Sequence, residues 1–219
     1  MGPVVCWVTD RRRCGAHWRR DLVERVTRAA RAGVHLVQVR ERDLEGRELI
    51  GLVRACLEAV SGTAARIVVN DRLDVALAAG AHGVHLPSNG LPGAVVRRVA
   101  PRGFLVGRSV HSVSEAIRSA RAGGLDYLVF GTVFPTPSKP EQAAAGVVEL
   151  RSVVDAVPLP VLGIGGMTIE RLPSVAAAGA TGFAAIGLFG GCEGADAEGR
   201  LTQLVREVER SFDTSRGVP

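Results

Sequence analysis

The stretch HLVQVRERDLEGRELIGLVRACLEAVSGTAARIVVND, residues 35–71, contains one complete structural unit. It opens on a β-branched run, HLVQVRE (35–41), and closes on another, RIVVND (66–71). Between them, RELIGLVRACLEAVSG (47–62) spaces Leu49, Val53, Cys56 and Val60 at three- and four-residue intervals and ends in glycine. That spacing is the mark of an amphipathic helix with a C-terminal stop. The flanking runs read as nearly continuous apolar segments, as strands do when both their faces are buried. The unit therefore predicts strand, helix, parallel strand.

The same alternation runs along the whole chain. Further strand candidates are VVCWVTD (4–10), GVHLP (83–87), FLVGRSV (104–110), YLVFGTV (127–133), PVLGIGG (160–166) and GFAAIG (182–187). Helical segments such as RDLVERVTRAARAG and SVSEAIRSARAGG separate them. Eight such units in about 200 residues fit an α/β fold made of one (β/α)8 TIM barrel. A single domain over 1–219 is expected, with its core from about 4 to 210 and a loose tail at 211–219. The rival, an open doubly wound sheet, usually carries a Gly-rich turn after its first strand. Here that turn reads TDRRRCG.

Composition narrows the function classes. The apolar fraction is 47% but aromatics make up only 4%, so Val, Leu, Ile and Ala must fill the core. No apolar run is long enough to span a bilayer. The start, MGPVVCWVTDRRRCGAH, lacks the charge–apolar–cleavage order of a secretory signal, so a cytoplasmic protein is expected. The net charge of +5 is spread over helices and mixed with acids, with few aromatics for base stacking, which argues against a nucleic-acid partner. Small phosphorylated substrates suit a basic protein equally well. The densest basic cluster, RRRC at 11–14, reads as a solvated loop. Cys6, Cys14, Cys56 and Cys192 show no zinc-like spacing and are expected to be reduced packing residues.

Polar residues gather at the ends of the apolar runs: Asp10; Gln38, Arg40 and Glu41; Asn70 and Asp71; Ser109 and His111; Thr136; Gly165 and Gly166. In a barrel these ends form one face, where enzymes of this fold place their chemistry. Lys139 is the only lysine in the chain and sits in VFGTVFPTPSKPEQAAAG (129–146). An ammonium is a compact point charge where guanidinium is a flat fork, so one retained lysine suits contact with a single phosphate oxygen. The segment PEQAAAG after it suits a lid over the site.

The ordered motifs QVRER (38–42), NDRLDVA (70–76), GVHL (83–86), GRSVHS (107–112), FGTVFPTPSK (130–139) and GIGG (163–166) resemble those of thiamine phosphate synthase and of its relative, the TenI-type thiazole tautomerase. The resemblance spans about residues 4–190. It implies a transferase that joins hydroxymethylpyrimidine diphosphate to thiazole phosphate, releasing diphosphate. It also implies Mg²⁺ as cofactor, with Asp71 as its ligand. Gln38, Arg40, Arg42 and Asn70 would face the pyrimidine diphosphate, while Ser109 and Lys139 contact the leaving group. Arg40, Ser109 and Lys139 are the residues expected to carry catalysis. Thr136 and Ser138 would bind the thiazole phosphate, and Gly166, Ile186 and Gly187 would offer it backbone amides.

The chain departs from the pattern at several positions. Where synthases show GVHLGQ followed by an acid and Asp, it reads GVHLPSNG, so Gly90 stands in place of the second Mg²⁺ carboxylate. Arg42 replaces a lysine and Gly187 a serine. The tautomerase, an isomerase, would need a histidine where Thr132 stands, with His85 and His111 as the other candidates nearby. A barrel that binds thiazole phosphate or thiamine phosphate without turnover is the non-enzyme alternative. A homo-oligomer is compatible with the sequence.

Overall fold

In the computed structural model, which describes residues 2–136, 143–189 and 197–213, the first strand is hydrogen-bonded along both edges. Val8 of β1 (Val4–Val8) lies opposite Gln38 of β2 (Leu36–Val39), and Trp7 lies opposite Ala185 of β8 (Gly182–Ala185). Between these come β3 (Arg66–Asn70), β4 (Gly83–Leu86), β5 (Leu105–Val110), β6 (Tyr127–Gly131) and β7 (Val161–Ile164). Each strand pairs in parallel with its sequence neighbours, and the eight close into one barrel. The helices are α1 (Trp18–Arg31), α2 (Gly46–Ala59), α3 (Leu73–Ala79), α4 (Gly93–Arg97), α5 (Val113–Ala122), α6 (Gly146–Ala156), α7 (Leu172–Ala177) and α8 (Ala197–Phe212).

Two apolar clusters explain why the strands read as continuous apolar runs. Cys6, Val8, Leu36, Val68, Tyr127, Val129, Leu162 and Ala184 pack together inside the barrel. Val5, Trp7, Val37, Val39, Ile67, Val69, Leu128 and Phe130 alternate with them in sequence and pack outward against Leu22, Val26, Leu52, Val53, Leu150 and Val153 of the helices. Successive side chains on a strand point to opposite faces, and here both faces are dry. Scarce aromatics are used with care. The ring of Tyr127 fills the position opposite Gly107, where an added Cβ would fall 2.1 Å from Tyr127 Cζ.

The expected fold holds, with shifted edges. The first strand stops at Val8 rather than running to Asp10, because Asp10 caps a 3-10 turn (Arg11–Arg13) by accepting from the Arg12 N–H. At the other end, α8 runs through Phe212, which is partly buried and packs on the core. Cys6 and Cys56 are buried as expected, and burial pushes both thiols up to about 12, so they are inert packing residues. Cys192 lies outside the described residues. No described helix is long and apolar enough to cross a membrane.

Candidate active site

The C-terminal end of β2 shows how strand parity sorts polar residues. Gln38 and Arg40 share the inward phase of Leu36, whereas Glu41 follows the outward phase of Val37 and Val39. Gln38 Nε2 donates to Asn70 Oδ1 at 3.0 Å, so adjacent strands hold a paired amide surface at the mouth. Arg40 is half-buried and its guanidinium makes no hydrogen bond among the described residues. Burial, and then the charges of Arg42 and Arg12, lower its pKa from the usual guanidinium value. A partly desolvated cation with no hydrogen-bonded anion among the described residues is costly on its own account and is suited to receive one. Arg42 is exposed in the turn that follows.

Glu41, one of the polar strand ends, does not belong to the mouth. It is buried, accepts from Thr9 Oγ1 at 2.6 Å and from the Arg11 N–H at 3.1 Å, and ties the β1 turn to β2. Thr9 Oγ1 in turn accepts from the Arg40 N–H at 3.0 Å. Burial raises the Glu41 pKa, against the Thr9 hydrogen bond that lowers it. Its role is to fix the backbone that carries Arg40.

Asp71 is exposed at the end of β3 with φ of 64°, a left-handed conformation that Asp tolerates better than most residues. Its N–H still bonds to the His85 carbonyl at 2.8 Å, so the twist occurs at the barrel rim.

At the floor of the mouth His85 is fully buried. Its Nε2 lies 2.9 Å from Ser109 Oγ and its Nδ1 3.4 Å from Tyr127 Oη. Burial, reinforced by Arg108 and Arg40, drives its pKa down to about 3, so the ring is neutral near pH 7 and serves to hold the Ser109 hydroxyl. His111 sits at the exposed rim, where Nδ1 donates to the Gly131 carbonyl. The SVSE sequence explains its placement. Ser112 caps α5 by accepting from the Glu115 N–H, and the Glu115 carboxylate accepts from the His111 N–H at 2.7 Å.

The turn after β4 is closed rather than vacant. Gly90 N–H bonds to the Pro87 carbonyl, and a Cβ on Gly90 would fall 2.8 Å from Pro87 Cδ. Arg108 points outward from β5 and donates to the carbonyls of Ser88, Gly90 and Leu91, clamping the turn from behind. Arg108 therefore adds no guanidinium to the mouth, and nothing in the sequence motif marked it as a loop clamp.

On the far side of the mouth, Thr132 is buried, and a Cβ on Gly165 would fall 2.5 Å from Thr132 Cγ2. Gly165 and Gly166 both have positive φ, 102° and 62°, as a tight turn after β7 requires. Among the described residues no hydrogen bond takes up the N–H groups of Gly166, Ile186 or Gly187. Thr136 lies at the edge of the described chain; Ser138 and Lys139 lie outside the described residues.

The sequence matches the family described as thiamine monophosphate synthase over residues 5–189. The chain belongs to this family. It is 42% identical over 181 residues to the thiamine-phosphate synthase of Methanoculleus marisnigri, covering 82% of each chain. It is 40% identical over 184 residues to that of Roseiflexus castenholzii, covering 84% of this chain and 79% of the relative. Among solved structures, the thiamine phosphate pyrophosphorylase of Pyrococcus furiosus superposes with a TM-score of 0.81 at 31% identity, over 95% of this chain and 96% of that one.

Membership in the thiamine monophosphate synthase family sharpens the question of the metal. Among the described residues, no three His, Cys, Asp or Glu side chains come together as a metal cage. Asp71 offers one exposed carboxylate, and the closed Pro87–Gly90 turn offers none. Mg²⁺ is commonly held by one or two carboxylates plus substrate phosphates, and this donor set fits that mode with the phosphates supplying most of the ligands.

Proposed function

We propose that the protein is a thiamine-phosphate synthase, condensing hydroxymethylpyrimidine diphosphate with thiazole phosphate in the cytoplasm. Family membership and the match to named synthases support this reading. The observation that carries the site is Arg40, a half-buried guanidinium with no hydrogen bond among the described residues, which follows β2 just beyond the Gln38–Asn70 pair.

In this reading the C–O bond to the diphosphate breaks first and its electron pair leaves with the diphosphate. The lone pair of the thiazole nitrogen then forms the new C–N bond on the pyrimidine methyl carbon. No proton need be moved, in keeping with a buried neutral His85 and the lack of a titratable side chain at Thr132. Arg40 and Arg42 stabilise the charge that grows on the departing diphosphate, a contribution largest when the donors are already in place. Ser109, held by His85, adds a hydroxyl donor, and Lys139 a further cation. The amides of Gly166, Ile186 and Gly187, with Thr136 and Ser138, receive the thiazole phosphate. Asp71 would hold Mg²⁺ with the substrate's own phosphates, and the ion when bound neutralises diphosphate charge.

The tautomerase alternative has a buried threonine, Thr132, at its histidine position and a buried, neutral His85, which leaves it only the rim residue His111 among its candidates. One assay tests the assignment. Purified protein is incubated with both phosphorylated halves and Mg²⁺, and thiamine phosphate is measured by chromatography. Product formation is expected; binding of both halves without product would replace the synthase by the ligand-binding alternative.

A further inference from the structure

Gly187, where the synthase pattern carries a serine, faces an arginine from the opposite end of the sequence. A Cβ on Gly187 would lie 3.6 Å from Nη2 and 3.8 Å from Nη1 of Arg13. The closure of β1 against β8 creates this proximity, since the turn after β1 is thereby laid beside the loop after β8.

The arginine is held from several sides. Its N–H donates to the Asp10 carbonyl at 3.1 Å, and its own carbonyl accepts from Arg25 Nη2 at 3.1 Å. Its Nε lies 3.8 Å from Asp10 Oδ2. The two neighbouring arginines are engaged elsewhere. Arg11 pairs with Asp43 at 2.8 Å and lies over the Trp18 ring, and Arg12 pairs with Asp10 at 2.8 Å. The Nη atoms of Arg13 make no hydrogen bond among the described residues, and its side chain is 51% exposed. The turn thus presents a guanidinium at the end of β8, next to backbone amides that also have no described partner.

We propose that Arg13 is a phosphate-binding residue, its Nη pair standing in for the absent serine hydroxyl. It contacts the monophosphate of the thiazole substrate beside Ile186 and Gly187. The inference rests on the synthase reading for the identity of that substrate. A guanidinium can bind phosphate bidentately and with full charge, where a serine offers one neutral bond. Glycine at 187 leaves the approach to the guanidinium clear.

Calorimetric titration of the full chain with thiazole phosphate, with the dephosphorylated thiazole alcohol and with pyrimidine diphosphate tests the proposal without needing turnover. Arg13→Gln is expected to weaken thiazole phosphate binding about 10- to 100-fold, the range for losing a charge-assisted hydrogen bond. Affinities for the alcohol and for pyrimidine diphosphate are expected to stay within about twofold, since neither ligand places a phosphate at this end of the mouth. Adding Gly187→Ser to Arg13→Gln is expected to restore part of the loss. Unchanged phosphate affinity in Arg13→Gln, an equal loss for the alcohol, or no binding to the wild type would overturn the proposal. If the wild type makes no thiamine phosphate yet Arg13→Gln still loses phosphate binding selectively, the synthase reading fails and Arg13 keeps its role. If turnover is normal and Arg13→Gln binds as the wild type does, the reverse holds.

Discussion

His85 Nε2 lies 2.9 Å from the Ser109 hydroxyl at the floor of the barrel mouth. The buried imidazole has its pKa lowered from 6.5 to about 3, so the unfolded chain takes up a proton there at a pH where the folded protein does not. Its contribution to stability is present above pH 6.5 and is lost as pH falls toward 3, with a slope of about 1.4 kcal/mol per pH unit from this one group. His35 and His82, lowered chiefly by burial, act in the same direction. Urea denaturation at a series of pH values is expected to show this slope, and His85→Gln to reduce it by about one proton's worth. An unchanged slope in the variant would place the acid sensitivity elsewhere.

Arg40 is half-buried and its guanidinium makes no hydrogen bond among the described residues, so removing it relieves a desolvation cost without breaking a described hydrogen bond. Arg40→Gln is expected to leave the melting temperature equal or raised while turnover falls about 10²- to 10³-fold, the usual consequence of losing a preorganised donor to developing charge. A variant with lower stability and normal turnover would make Arg40 structural.

The Pro87–Gly90 turn gives a paired prediction. The synthase pattern that the chain resembles has glycine at position 87 and aspartate at position 90, where this chain has Pro87 and Gly90. Gly90→Asp alone would drive its Cβ into the Pro87 ring while Arg108 holds the turn, so it is expected to destabilise the protein by about 1–3 kcal/mol. Pro87→Gly with Gly90→Asp relieves that overlap and is expected to lower the Mg²⁺ concentration needed for half-maximal activity. Titration of activity with Mg²⁺ in both variants checks this; equal Mg²⁺ dependence in the wild type and the double variant would count against Asp71 as the ligand.

Lys139 carries a prediction from sequence alone. Lys139→Arg keeps the charge but changes a point donor into a fork, and Lys139→Met removes the charge at similar length. If the ammonium meets one phosphate oxygen, both are expected to lower turnover about 10²-fold in steady-state assays, since misplacing such a group costs about that much. Full activity in Lys139→Arg would reduce the residue to a general source of positive field.

The sequence by itself determined the barrel and the end of it at which the polar strand-end residues gather. Parallel strands buried on both faces leave unbroken apolar runs such as RIVVN, and amphipathic helices between them leave three- and four-residue spacing; both signals are local. It also placed Gln38, Arg40, Asn70 and Ser109 at strand ends. What it could not decide was direction. Glu41 and Arg108 sit among those same strand ends, yet the alternation of the pleat turns both away from the mouth, one to Thr9 and the other to the turn at Gly90. Nor could it see that Pro87 closes the space at Gly90, or that one arginine of RRR reaches Gly187. The first is set by the path of a turn. The second exists only because the barrel closes β1 against β8, which puts the two ends of the chain side by side.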